Sequence, residues 1–175
     1  LRSLVGSEMC IRDSPNRLRQ LSHYISDGIY EEVTGMKGVA STRLLYVTEQ
    51  IIDGNSIFKL VVADADGENE QVLLRSREPI ISPSWSPNSK EVAYVSFETG
   101  MAKVYIQNIA TGTRELVIEN SSQISSPSWS PNGKFLSLTL YQDGNAEIYI
   151  LNLKNRNLTR LTNHYSIDTE SVWSP

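Results

Sequence analysis

A single cysteine, Cys10, occurs in the 175 residues, so no internal disulfide can form and no cluster of soft metal ligands is available. Long apolar runs are also missing. The best, such as Leu60-Val61-Val62-Ala63 and Ile148-Tyr149-Ile150-Leu151, fall far short of the roughly 18 to 20 residues a membrane-spanning helix needs, so direct membrane insertion is not expected. Basic residues are in no excess: 16 Lys and Arg stand interspersed among 20 Asp and Glu, for a net charge of −4. Such a surface offers no cationic stripe to a phosphate backbone, and nucleic acid is not expected as a partner. Residues 1–20 lack the continuous apolar stretch of a signal peptide and carry Arg2, Arg12, Arg17 and Arg19; an export signal would have to lie upstream. Catalytic signatures are absent too, with no Gly-x-Ser-x-Gly elbow, no Walker or Rossmann glycine pattern and no His-Glu-x-x-His. The two histidines, His23 and His164, sit in a helical stretch and a loop and point to no triad. The expectation is a protein that is not an enzyme and has no metal or cofactor.

What the sequence does have is a repeat. Ser-Pro-Ser-Trp-Ser-Pro-Asn occurs at 82–88 and again at 126–132, and Ser171-Val172-Trp173-Ser174-Pro175 begins a third copy, with Trp85, Trp129 and Trp173 each 44 residues apart. The same offset pairs Val92 with Leu136, Phe97 with Tyr141, Gly100 with Gly144, Tyr105 with Tyr149 and Asn108 with Asn152. A looser earlier copy aligns Lys59-Leu60-Val61 with Lys103-Val104-Tyr105, with a loop extension around Gln50–Asn55.

Each unit reads as four short strands, near 80–86, 91–97, 102–109 and 114–118 in one copy and 124–130, 134–141, 146–153 and 158–162 in the next. The first copy shows three, near 43–49, 56–65 and 69–75, without a Trp-type strand before them. The middle strands are apolar on both alternating faces, as a sheet packed between two others requires. Pro131-Asn132-Gly133, Asp143-Gly144 and Thr111-Gly112 supply turn chemistry. Pro83 and Pro127 would break a central ladder, which puts the Trp-bearing strands at sheet edges. Four-stranded units recurring every 40 to 50 residues describe propeller blades. The expected fold is all-β, a fragment of a β-propeller with four-stranded antiparallel blades. Its blades would span about 39–78 (lacking the first strand), 79–122 and 123–166, with the first strand of a fourth at 167–175.

Residues 15–38 differ. Leu18, Leu21, Ile25, Ile29 and Val33 form a helical stripe, Pro15 suits a first turn and Gly35 a C-terminal cap, and Arg17, Arg19, Gln20, Glu31 and Glu32 form a wet face. Such a helix packs one side against something, which suggests the last helix of a preceding domain. Residues 1–14 read as a non-native leader, because Ser3 to Ser14 resembles translated sequencing-adaptor sequence. Asp64-Ala65-Asp66-Gly67-Glu68-Asn69-Glu70 has the carboxylate density of a calcium loop, but its glycine comes fourth instead of sixth and the bidentate Glu at twelve is missing. A solvated hairpin turn is the better reading.

The run from Leu21 to Gly38, ending Thr34-Gly35-Met36-Lys37-Gly38, and its continuation Ser41-Thr42-Arg43-Leu44-Leu45-Tyr46-Val47 resemble the junction between the α/β domain and the first blade of the TolB family. The resemblance covers about residues 15–175. It implies a six-bladed propeller preceded by an α/β domain, and a non-enzymatic periplasmic scaffold of the Tol–Pal system. Such a scaffold binds the peptidoglycan-associated lipoprotein and TolA, supports outer-membrane integrity and cell division, and is exploited in colicin import. The loops entering the innermost strands are the expected partner-binding mouth: Ile81 and Ser82 (with Ile80), Gln123, Ile124 and Ser125, and Asp168, Thr169 and Glu170. The last three lie in Asp168-Thr169-Glu170-Ser171-Val172-Trp173, similar to the family's Thr-Glu-Pro-Thr-Trp run, with Ser171 in place of proline. The Trp-Ser-Pro-Asn-Gly repeat alone is shared with propeller domains of prolyl-oligopeptidase-like peptidases. A propeller gating a serine peptidase therefore stands as the alternative.

Overall fold

A computed structural model describes residues 15–119, 123–142 and 144–174; the leader reading at 1–14 and the Asp143 tip lie outside them. Among the described residues one helix, α1 (Pro15–Thr34), precedes eleven strands. These are β1 (Arg43–Ile52), β2 (Asn55–Asp64), β3 (Gln71–Ser76), β4 (Ile80–Trp85), β5 (Glu91–Ser96), β6 (Lys103–Asn108), β7 (Arg114–Glu119), β8 (Gln123–Trp129), β9 (Phe135–Gln142), β10 (Asn145–Asn152) and β11 (Leu158–Arg160). They form sheets in the orders β1-β2-β3, β4-β5-β6-β7 and β8-β9-β10-β11, with antiparallel pairing throughout the two four-stranded sheets. The strands expected in these three sheets are present to within a few residues.

The repeated motif has a local physical cause. The Ser86 hydroxyl, buried, lies 2.8 Å from both Asn88 Oδ1 and the Glu91 carbonyl and accepts the Glu91 N–H at 3.0 Å. Asn88 Oδ1 takes the Lys90 N–H at 2.9 Å. Ser130 and Asn132 repeat these bonds with Phe135 and Lys134. The Ser-Pro-Asn turn is thus a side-chain-stapled hairpin in which proline presets one φ and the two polar side chains satisfy the turn's backbone.

The middle strands bury both faces, as their patterning requires. In β5, Val92 and Tyr94 join Leu60, Ile80 and Ile109, with Leu73, Leu74 and Trp85 packed against them. Ala93 and Val95 instead join Val104, Ile124, Leu136, Leu138, Leu140 and Leu151. Each such fully buried aliphatic side chain contributes on the order of 1.5–3 kcal/mol. β8 packs on β4 and β5, so the two Trp-bearing edge strands are neighbours at one side of the stacked sheets.

The described residues fall into two units, 15–44 with 62–71, and 45–61 with those from 72 on. Within the smaller unit α1 runs as its stripe predicts and ends at Gly35 (φ 71°), whose N–H bonds the Glu31 carbonyl at 2.8 Å. Its fastening is polar. Arg19 was expected on the wet face, but its Nε bonds Asp64 Oδ2 at 2.8 Å and its Nη2 pairs with Asp66, across the turn read as a hairpin tip. Asp27 accepts the N–H groups of Ala40 (2.7 Å) and Ser41 (2.8 Å). Hydrogen bonds from Ser41 and Ala40 hold its carboxyl below the usual range. Gly38 must be glycine here, since an added Cβ would stand 2.2 Å from Asp27 Oδ1. That contact accounts for Gly38 in the Thr-Gly-Met-Lys-Gly junction, as the cap accounts for Gly35. The apolar stripe itself is left largely open, with Ile29 60% and Val33 78% exposed.

Candidate functional site

β4 and β8 each carry an irregularity at the same place. Their registers with β5 and β9 shift between Ile81 and Ser84 and between Ser125 and Ser128. Ser82 (φ 51°) and Ser126 (φ 53°) take the left-handed conformation, and Pro83 and Pro127 follow at positions the bulge leaves out of the ladder. That is the second reason, besides the edge position, that proline is tolerated. Forty-four residues further on, Glu170 has φ 55°. The bend therefore recurs at Glu170 even though Ser171 replaces the proline. The Ser171 hydroxyl is buried there and has no hydrogen-bond partner among the described residues.

Residues 167–174 were expected as a further innermost strand, but they carry no strand ladder among the described residues. A strand needs a paired neighbour, and this segment is tied by single bonds instead. The Asp168 N–H donates to the Ala146 carbonyl at 2.9 Å and Trp173 Nε1–H to the Ser128 carbonyl at 3.1 Å.

At the end where β4 and β8 begin, a cavity of about 380 Å³ opens. β4 gives Ile81 to its wall and β8 gives Gln123, Ile124 and Ser125. Thr139 and Tyr141 of β9 and Ala146 of β10 line it with Phe97, and the incoming 167–170 segment adds Ile167 and Thr169. Ile124 is 2% exposed and forms floor, not rim. Thr139 Oγ1 lies 3.4 Å from Thr169 Oγ1, which ties the segment to β9.

Of the eight residues expected at the mouth, five line this cavity together: Ile81, Gln123, Ile124, Ser125 and Thr169. Ser82 forms the bulge beside it, Asp168 is half-buried, and Glu170 stands exposed at its own bend. The 44-residue register matches Ile80, Ile81 and Ser82 to Ile124, Ser125 and Ser126. The equivalent of Ser82 is thus Ser126, a position the sequence reading passed over.

The walls are mostly apolar and punctuated by hydroxyls and one amide. Among the described residues that line it, none carries a carboxylate, imidazole or amine. Such a lining can hold an apolar side chain and bond a neighbouring peptide backbone.

Edge strands that meet at one side, a bulge repeated at the same place in both, and sheets stacked face to face define a β-propeller segment. The whole of residues 30–175 matches the TolB beta propeller domain, and the chain belongs to that family. The Tol-Pal system protein TolB of Xanthomonas campestris pv. campestris is 49% identical over 114 residues, covering 65% of this chain and 26% of that protein. The crystal structure of TolB from Acinetobacter baumannii superposes with a TM-score of 0.87 at 40% identity, over 93% of this chain and 41% of that one. The propeller domain of the Trilobed protease from Pyrococcus furiosus, at 16% identity and a TM-score of 0.57 over 74% of this chain and 41% of that one, shares the fold alone. The chain thus spans about a quarter of the length of the curated relatives it matches.

Proposed function

We propose that this chain is part of a non-enzymatic periplasmic scaffold of the Tol–Pal system, and that its loop-end cavity takes a segment of the peptidoglycan-associated lipoprotein. The observation that carries the reading is the convergence of Ile81, Gln123, Ile124, Ser125 and Thr169, drawn from three successive repeats, on one apolar hollow with hydroxyl donors. The proposal extends to TolA as a second partner, to roles in outer-membrane integrity and cell division, and to colicin import; the name of the relatives supports membership of the Tol-Pal system. In this reading the blades are those expected from the repeat, in a six-bladed ring, and α1 belongs to a preceding α/β domain that covers its open stripe. Among the described residues nothing in the geometry favours the alternative of a propeller gating a serine peptidase.

Glu170 sits exposed beside the cavity and offers a carboxylate to a backbone N–H or basic side chain of the bound segment. The test is calorimetric titration of the soluble, unacylated lipoprotein into the full-length protein and its variants. Glu170→Ala should weaken binding by about 1.5–3 kcal/mol, and Ile81→Asp, which puts a charge into the apolar wall, by at least as much. Lys134→Gln, at the Ser-Pro-Asn end, should bind as wild type. Wild-type affinity in both mouth variants would overturn the assignment.

A further inference from the structure

The second and third sheets differ sharply at one repeated position. On β6 it is Lys103, whose Nζ pairs with Glu119 Oε1 at 2.8 Å. On β10, 44 residues on, it is Glu147, which is 1% exposed. A carboxylate so far out of water needs donors, and it has four. Thr162 Oγ1 donates to Oε2 at 2.6 Å; the His164 N–H and Arg160 Nη2 reach Oε1 at 2.9 Å each, and Asn145 Nδ2 reaches it at 3.2 Å. The Thr162 bond is the largest cause of a carboxyl held down at about 2.

The clamp alters the sheet. β7 runs from Arg114 to Glu119, whereas β11 stops at Arg160, three residues before the repeat would end it. The ladder gives way because the Thr162 hydroxyl, not a backbone carbonyl, accepts the Ile148 N–H at 2.9 Å. Past Thr162 the chain folds over the carboxylate, and Asn145 Nδ2 holds the carbonyls of His164 (2.6 Å) and Ser166 (2.9 Å). The next residue is Ile167, followed two residues on by Thr169, and both line the cavity.

We propose that Glu147 is a positioning residue for partner binding: by gathering residues 162–166 around its carboxylate, it fixes where Ile167 and Thr169 enter the cavity wall, without touching the partner. The proposal rests on the reading of that cavity as a protein-binding site. Glutamine at 147 cannot accept from every donor now converging there, so the loop loses its anchor while the apolar core of the sheet is untouched.

The experiment titrates the soluble, unacylated lipoprotein into full-length wild type, Glu147→Gln, Thr162→Val, Thr162→Ser, Lys103→Gln and Ile81→Asp, and follows amide exchange in each. Glu147→Gln and Thr162→Val should each raise Kd about tenfold. Thr162→Ser, which keeps the hydroxyl, and Lys103→Gln should stay within about twofold. Amide protection should fall at 162–166 and hold at 91–108. Wild-type affinity in Glu147→Gln and Thr162→Val beside weak binding in Ile81→Asp overturns the proposal and leaves the cavity reading standing. Wild-type affinity in all three overturns both. Equal losses in Thr162→Ser and Lys103→Gln would mark general destabilisation and also overturn it. If Glu147→Gln fails to fold, the contrast between Thr162→Val and Thr162→Ser decides.

Discussion

The second and third sheets occupy one frame and fill it differently. Tyr94 and Gln107 of the second correspond to Leu138 and Leu151 of the third, and all four are buried. The Tyr94 hydroxyl donates to Gln107 Oε1 at 2.9 Å, and Gln107 Nε2 donates to the Leu73 carbonyl of β3 at 3.0 Å. Burial pushes the Tyr94 phenol up to about 12, so it remains a donor at any physiological pH. The leucines need no such partners, because they lie in the apolar cluster shared with β5 and β8. The difference teaches that the 44-residue repeat specifies strand positions and turns, while each face is tailored to its neighbour: polar where a carbonyl must be met, apolar where it need not be.

That comparison can be broken most forcefully by giving the second sheet the third sheet's residue. Gln107→Leu strands the Tyr94 hydroxyl and the Leu73 carbonyl, and should cost about 1–3 kcal/mol in urea unfolding. Adding Tyr94→Leu removes one of the stranded groups and should recover part of the loss. A Gln107→Leu protein as stable as wild type would mean that the polar pair holds nothing together.

Acid sharpens the other contrast, Lys103 against Glu147. The folded Glu147 carboxyl sits at about 2, below its ordinary 4.5, so the unfolded chain binds that proton more readily. Its contribution is complete above about 4.5 and is lost as the pH falls towards 2. Wild type should therefore exceed Glu147→Gln in denaturation midpoint at pH 7, and the gap should narrow below pH 4.5. A gap that stays constant through that window would contradict the clamp.

The smallest expected effect is at Ser171, where the repeat would have proline. Ser171→Pro removes a buried hydroxyl without a partner and presets the backbone next to Glu170, and in the full-length protein should add roughly 0.4–1 kcal/mol to stability. A loss instead would show that the bend at Glu170 differs from those at Ser82 and Ser126.

The strands were legible because the Ser-Pro-Asn staples recur and both faces of β5 are apolar. The cavity was legible in outline, since loops before Trp strands must share one end of the sheets. The left-handed bends were not, because Ser82, Ser126 and Glu170 are not glycine and nothing local marks them. Glu147 was hidden by its setting: a glutamate between Ala146 and Ile148 in a strand reads as solvent-facing, and its donors come from 13 to 17 residues on as well as from Asn145. Its one visible signal was the exchange of Lys for Glu at a repeated position. Arg19 was misplaced on the wet face for a related reason, since its partners lie 45 and 47 residues away.

On the proposed function, recognition occurs at the loop end, where the entries to successive innermost segments converge. Amide exchange of the full-length protein, with and without the soluble lipoprotein, tests it most directly. Protection should rise at 80–82, 123–126 and 167–170 and stay unchanged in the Ser-Pro-Asn turns at 86–89 and 130–133. Protection confined to those turns, at the opposite end of the strands, would contradict the account.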